Sequence, residues 1–352
     1  SLDHDENTSP EAMLAGIVQS PTMHDPYKRP EDATKRRNVV LGELLSEGYI
    51  NPETAKTAKS SPLGVIPKGT SPGQAAFPAG HFVSEVREWF LDNPEFGTTR
   101  AERAELLYGG GLRIYTTLDL NTQAQAEAAI AGRLPNPGFE GDPNDGSHDP
   151  DAALVTIEPR SGYVKAMVGG KDYFGDTDYA KVNLAVGGGR PTGSSFKGIT
   201  LATALKQGIK AGDRFPSPSQ TCFGNWCPSG GGGLGGSATL EDCAAFSSNT
   251  CFAHLASRVL GPQKIRETAY DLGIGQNQLK ERDGSVNATI TLGTYNSTVM
   301  EMASAYSTFA NRGIRVDPVL VTRITKADGS VMYQNQHRQR KVLEPEVAFE
   351  ES

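Results

Sequence analysis

Apolar and polar positions alternate with a helical period in three short stretches near the start of the chain. PEAMLAGIVQSP, PEDATKRRNVVLGELLSEGYI and NPETAKTAK, from Pro10 to about Lys59, each open on Pro or Asn-Pro and close near Gly, Ser or Pro. That grammar predicts three helices. Residues 60–80 (SSPLGVIPKGTSPGQAAFPAG) lose the period and collect Pro and Gly, so a linker is expected there. HFVSEVREWFLD resumes a helical pattern and GGGLRIYTTLDL reads as a strand. NTQAQAEAAIAG follows as a helix, with Asn121 or Thr122 as its expected N-cap. Residues 134–150 (LPNPGFEGDPNDGSHDP) are almost entirely turn residues and mark a second boundary.

From there the period changes to two. AALVTIE and YVKAMVG, joined across Pro159-Arg160-Ser161-Gly162, predict a hairpin. VLVTRITK and SVMYQNQ around Asp328-Gly329 predict another. Residues 194 to 310 read mainly as helices and loops. Strands at both ends with helices between them indicate an α+β domain.

Charge and composition narrow the function. Lys plus Arg number 34 against 41 Asp plus Glu, a net charge of −7, which argues against a nucleic-acid or anionic-membrane partner. No run approaches the roughly 18 apolar residues of a membrane span. The four cysteines, Cys222, Cys227, Cys243 and Cys251, fall within 30 residues. Two disulfides of open connectivity, a four-thiolate zinc site and buried free thiols all fit. Without a C-x2-C knuckle, disulfides are preferred to zinc. His24, His81 and His254 share no ligand spacing, so no metal and no cofactor are expected.

The sharpest chemical signal is Pro191-Thr192-Gly193-Ser194-Ser195-Phe196-Lys197 ahead of GITLATALKQG, a stretch apolar nearly all round and therefore a buried helix. Ser194 then sits at or beside a helix N-terminus, and Lys197 projects from the same face one turn on. Ser-x-x-Lys arises about once by chance in a chain of this length, so it needs a partner. Ser247-Ser248-Asn249, in a corner between LEDCAA and CFAHLASRVL, supplies one. Ser285-Val286-Asn287 is a competitor, but it follows Glu281-Arg282-Asp283-Gly284 and reads as a solvated turn. GGRPTGSS (188–195) falls one residue short of a phosphate loop and has Ser194 where the phosphate-binding Lys belongs. SGGGGLGG (229–236) reads as a mobile loop.

With these residues assembled, the chain resembles the transpeptidase half of a class A, bifunctional penicillin-binding protein. SGYVKAMVGG, RPTGSSFKG, AFSSNT and TLGTYNSTVMEMASAYSTFANRG stand in the family's order over about residues 150 to 345. LAGIVQSPTMHDPYKRPEDATKRRNVVLGELLSEGYI resembles the last helices of that family's glycosyltransferase domain. The resemblance implies three parts: a glycosyltransferase tail over 1–60, a connecting module over 61–150 and, over 151–352, a penicillin-binding/β-lactamase-like transpeptidase domain, an antiparallel sheet with helices on both faces. The family's third element, Lys-Thr/Ser-Gly, occurs nowhere in the 352 residues. The chain is therefore expected to be truncated before that strand, to lack one oxyanion donor, and to acylate slowly or not at all on its own.

The implied chemistry is acyl transfer. Ser194 attacks the D-Ala-D-Ala bond of a peptidoglycan stem peptide, and an acceptor amine resolves the acyl-enzyme. Either burial and neighbouring charge lower the Lys197 pKa so that it takes the serine proton, or Lys197 stays cationic and Ser247 relays it, two routes that the sequence leaves open, and Asn249 holds Lys197 and the substrate amide. Ser194, Ser195 and Asn249 are the substrate-binding set. Stem peptides, β-lactams and cell-wall synthesis and division proteins are the expected partners. The expected place is the outer face of a bacterial membrane, with an anchor upstream of Ser1. A penicillin-sensing or scaffolding module is the alternative, with β-lactamase behind it.

Overall fold

Proline and asparagine caps set the first three helices where the period places them. In a computed structural model, which describes residues 8–65, 78–134, 151–175, 180–229, 234–275 and 278–351, they span Thr8–Ile17, Pro30–Ser46 and Pro52–Ser60. The Asn51 side chain accepts from Thr54 N–H, closing the third helix's first turn. The linker residues 66–77, the turn-rich 135–150 and the glycines 230–233 lie outside the described residues.

The chain divides into two units, Ser1–Phe77 and Pro78–Ser352. In the first, Ala12, Leu41 and Ala58 form a small apolar centre. Beside it Arg37 is only 1% exposed. Its guanidinium donates to Ser9 Oγ at 2.9 Å, Ser61 O at 2.7 Å and Lys59 O at 3.0 Å, so one buried cation ties the ends of two helices together.

The second unit begins with helices Gly80–Asp92 and Arg100–Gly109. Strand Arg113–Thr116 pairs antiparallel with Val321–Thr325, which pairs with Val331–Gln334 across the Asp328-Gly329 turn. The pairing joins residues about 200 positions apart, so the segment before residue 150 and the end of the chain build one sheet. Helix Leu120–Arg133 follows, capped by Asp119, whose carboxylate accepts from Thr122 N–H. The expected caps Asn121 and Thr122 lie inside the helix instead, because Asp119 is the residue in extended conformation ahead of the first turn.

The predicted hairpin forms as Leu154–Ile157 against Val164–Val168. Ala166 and Val168 pack with Ala126 and Ile130 of helix Leu120–Arg133, whereas Met167 packs with Phe82 and Val86 of helix Gly80–Asp92. The period of two thus gives each helix its own face of the pair. The α+β expectation holds, but as several small antiparallel sheets rather than one. Among the described residues these are a three-stranded sheet and four two-stranded pairs.

Between the hairpins lies the largest apolar core, built around helix Lys197–Lys206 by helices Leu240–Ala245, Asn249–His254, Pro262–Asp271 and Val299–Ala310. Phe196, Ile199, Ala202, Phe252 and Leu255 are all 0% exposed there. Among the described residues no helix is long and apolar enough to cross a membrane.

Candidate active site

The cavity at the end of this core is about 660 Å³, and Ser194, Lys197, Leu201, Glu241, Ser247, Phe252 and Tyr306 are among the residues lining it. Ser194 lies on a 3-10 turn, Gly193–Phe196, that leads into helix Lys197–Lys206. Two backbone ties hold that turn from behind. Arg190–Pro191 pairs with Asn296–Ser297, and Gly193 N–H donates to Gly293 O at 3.2 Å. The close approach needs glycine at 293, and the backbone conformation favours it at both positions. Both have left-handed φ, +59° at Gly193 and +67° at Gly293, and a Cβ at Gly293 would collide with the Gly193 backbone. Ser194 itself is exposed to the cavity.

Lys197 is 4% exposed, yet all three ammonium donors have acceptors. Nζ donates to Ser247 O at 2.6 Å, Ser247 Oγ at 2.9 Å and Asn249 Oδ1 at 2.7 Å. Burial pushes the Lys197 pKa down to about 8, because removing water penalises the charged form and its partners are neutral dipoles. The Phe252 ring lies 5.7 Å from Nζ.

The corner carrying Ser247 and Asn249 joins helices Leu240–Ala245 and Asn249–His254. Ser247 sits at φ +51°, a left-handed conformation uncommon for a serine. Ser248 caps the second helix by accepting from Cys251 N–H at 3.3 Å. The buried Ser248 Oγ also lies 2.7 Å from Ser217 Oγ. The Asn249 amide donates to Ser229 O at 3.2 Å, which fixes its oxygen toward Lys197.

Ser194, Lys197, Ser247 and Asn249 thus gather at one place from segments about 50 residues apart. Ser195 does not join them: its hydroxyl donates to Thr192 O at 2.7 Å, and its carbonyl accepts from Tyr306 OH at 2.7 Å. It braces the turn instead of facing the cavity. Tyr306 and Glu241 were not singled out in the sequence. Nothing in the local pattern marks them: Tyr306 is one of several hydroxyl-bearing residues, with Ser304, Ser307 and Thr308, on a helix that starts with the Thr298–Glu301 capping box. The competing Ser285-Val286-Asn287 is a turn, with the Asn287 amide on Glu281 Oε1 at 2.9 Å and Ser285 N–H on Asp283 Oδ1 at 2.9 Å.

The cysteines pair as Cys222–Cys227 and Cys243–Cys251, which removes the zinc and free-thiol alternatives. Among the described residues no group of three or more His, Cys, Asp or Glu side chains is placed to hold a metal.

The chain is similar to proteins already known. A family model described as the penicillin binding protein transpeptidase domain matches residues 152–350. Penicillin-binding protein 1A of Mycolicibacterium smegmatis is 32% identical over 334 residues, 92% of this chain and 39% of that protein. Penicillin-binding protein 1B of Haemophilus influenzae is 28% identical over 96% of this chain and 41% of its own length. The chain therefore spans about two fifths of the curated relatives it matches. Among solved structures, PonA1 of Mycobacterium tuberculosis superposes with a TM-score of 0.61 at 28% identity, covering 76% of this chain and 65% of that one. The same protein is also known in complex with penicillin V, at the same score and identity.

Proposed function

This chain belongs to the penicillin-binding protein transpeptidase family, and from that premise we propose that it performs the acyl-transfer step of peptidoglycan crosslinking, with Ser194 as the nucleophile. The single observation that carries the reading is the triple hydrogen bonding of a buried Lys197 to Ser247 and Asn249 at the wall of the cavity that Ser194 faces.

The reaction follows from the donors and acceptors. A neutral Lys197 keeps two N–H donors and gains a lone pair. Ser247 O and Asn249 Oδ1 can only accept, so they retain the two donors. Ser247 Oγ can reverse its role and donate into the lone pair. Ser194 Oγ then passes its proton to Ser247 as that hydroxyl gives its own to Lys197. The Oγ–C bond forms at the carbonyl between the two D-alanines of a stem peptide. The C–N bond breaks, and the proton returns along the same relay to the departing D-alanine amine. An amine from a second stem attacks the ester, the C–O bond breaks and Ser194 is reprotonated. The Ser194 N–H, at the start of its turn, is one donor to the developing oxyanion. In a β-lactam the leaving amine stays tethered to the acyl group, so the ester persists and the protein is trapped.

We extend the proposal to the rest of the chain. Residues 1–60 are the helical tail of a glycosyltransferase domain, residues 61–150 connect it, and residues 151–352 are the transpeptidase. The setting is the extracytoplasmic face of the bacterial membrane, with stem peptides as substrates, cell-wall synthesis and division proteins as partners, and roles in cell shape and β-lactam resistance.

The test is intact-mass analysis of the full-length protein with penicillin. One acyl adduct on Ser194, absent from Ser194→Ala, and release of D-alanine from a D-Ala-D-Ala peptide are expected. An adduct that persists in Ser194→Ala refutes the assignment of the nucleophile.

A further inference from the structure

The two disulfides are not spread through the fold; both brace the corner that holds Lys197. Cys243–Cys251 closes a ring around Ala244 to Thr250, and all three acceptors of Lys197 belong to residues inside that ring. Cys222–Cys227 closes a hairpin whose outer residues Gln220 and Ser229 form a bridge. Ser229 O receives the Asn249 amide.

The corner needs such support for two reasons. The helix ahead of it, Leu240–Ala245, is only six residues, too short to hold a direction by its own ladder, and the helix after it, Asn249–His254, continues straight into the π-turns of Leu255–Leu260. Ser247 has left-handed φ, a conformation that persists only where the surroundings over-determine it. Cys243 and Cys251 supply that restraint from the core. Both are 0% exposed, and Ser248 N–H donates to Cys243 O at 2.9 Å within the same ring.

We propose that the Cys243–Cys251 disulfide is a positioning device for acyl transfer, holding Ser247 and Asn249 against Lys197 so that the covalent bond sets the rate of serine acylation as well as the stability of the core. The inference rests on the acyl-transfer reading. Opening the ring lets the corner relax, lengthens the Lys197 contacts and admits water to Nζ. Cys222–Cys227 acts only through the Asn249 amide, so its loss has the smaller effect.

The experiment compares full-length wild type with C243A/C251A, C243V/C251A and C222A/C227A. The second variant refills the volume of the lost sulfurs, which separates the missing link from missing packing. Acylation by a fluorescent penicillin is followed from pH 6 to 9.5, with near-ultraviolet circular dichroism and thermal melting as controls for fold. The two 243/251 variants are expected to stay folded and acylate about 10- to 100-fold more slowly, the range of a small misplacement of catalytic groups. Their rate-limiting ionisation is expected to move to higher pH as Lys197 regains water. The only other charged group lining the cavity among the described residues is Glu241, which these variants retain, so the movement reports hydration of Nζ. Folded 243/251 variants with the native rate and pH profile overturn the inference. So does unfolding of both at assay temperature, which makes the bond a staple of the whole core. A wild type that takes up no penicillin overturns the acyl-transfer reading and this inference with it.

Discussion

In the proposed mechanism the protonation of Lys197 sets how acylation depends on pH. With its pKa near 8, about 9% of the protein carries a neutral Lys197 at pH 7, about half at pH 8 and about nine tenths at pH 9. An exposed lysine near 10.4 would be neutral in about one molecule in 2,500 at pH 7. The desolvated site therefore lowers the cost of preparing the base from about 4.6 to about 1.4 kcal/mol at pH 7. Because the folded pKa is depressed, the active form accumulates as pH rises through 8 and then saturates. The second-order rate of acylation by a fluorescent penicillin should rise about tenfold between pH 7 and 9 and level off above it. Asn249→Asp puts a carboxylate where Asn249 Oδ1 now lies 2.7 Å from Nζ. That change favours the ammonium, moves the midpoint up by about one to two pH units and lowers the rate at pH 7 about 10- to 100-fold. Stopped-flow fluorescence over pH 6 to 9.5 reads both curves. A wild-type rate flat across that range would refute Lys197 as the base. A rate still rising in proportion to hydroxide at pH 9.5 would show that burial does not depress its pKa.

Two further substitutions probe the scaffold. Gly293→Ala forces a methyl group into the Gly193 backbone at a left-handed φ, so the Ser194 turn must shift; acylation is expected to fall about 100-fold, and a native rate would show that the turn is held from elsewhere. Arg37→Ala strands the acceptors Ser9 Oγ, Lys59 O and Ser61 O and should cost the N-terminal unit about 3 kcal/mol. Amide exchange in helix Pro30–Ser46 would quicken about 150-fold if that holds, and unchanged protection would refute it.

What the amino-acid order determined by itself was whatever depends on neighbours within a turn or two. Pro30, Asn51 and Pro52 announced helix starts, the 152–169 and 319–336 stretches announced hairpins through their period of two, and the apolar run after Lys197 announced a buried helix. Ser-x-x-Lys and Ser-x-Asn pointed toward acyl transfer only in the company of the family resemblance, and the cysteine spacing leaned correctly toward disulfides. Folding decided the rest, since it depends on groups far apart in the chain and on how much water they jointly exclude. Whether Lys197 is charged follows from a pocket assembled across some 50 residues. The pairing of Arg113–Thr116 with Val321–Thr325 spans about 200. Ser195 turned to brace its own loop, and Tyr306 came to hold that loop from a distant helix. Cysteine spacing leaves three connectivities open, and only packing around the Ser247 corner selects the pairing that encloses it.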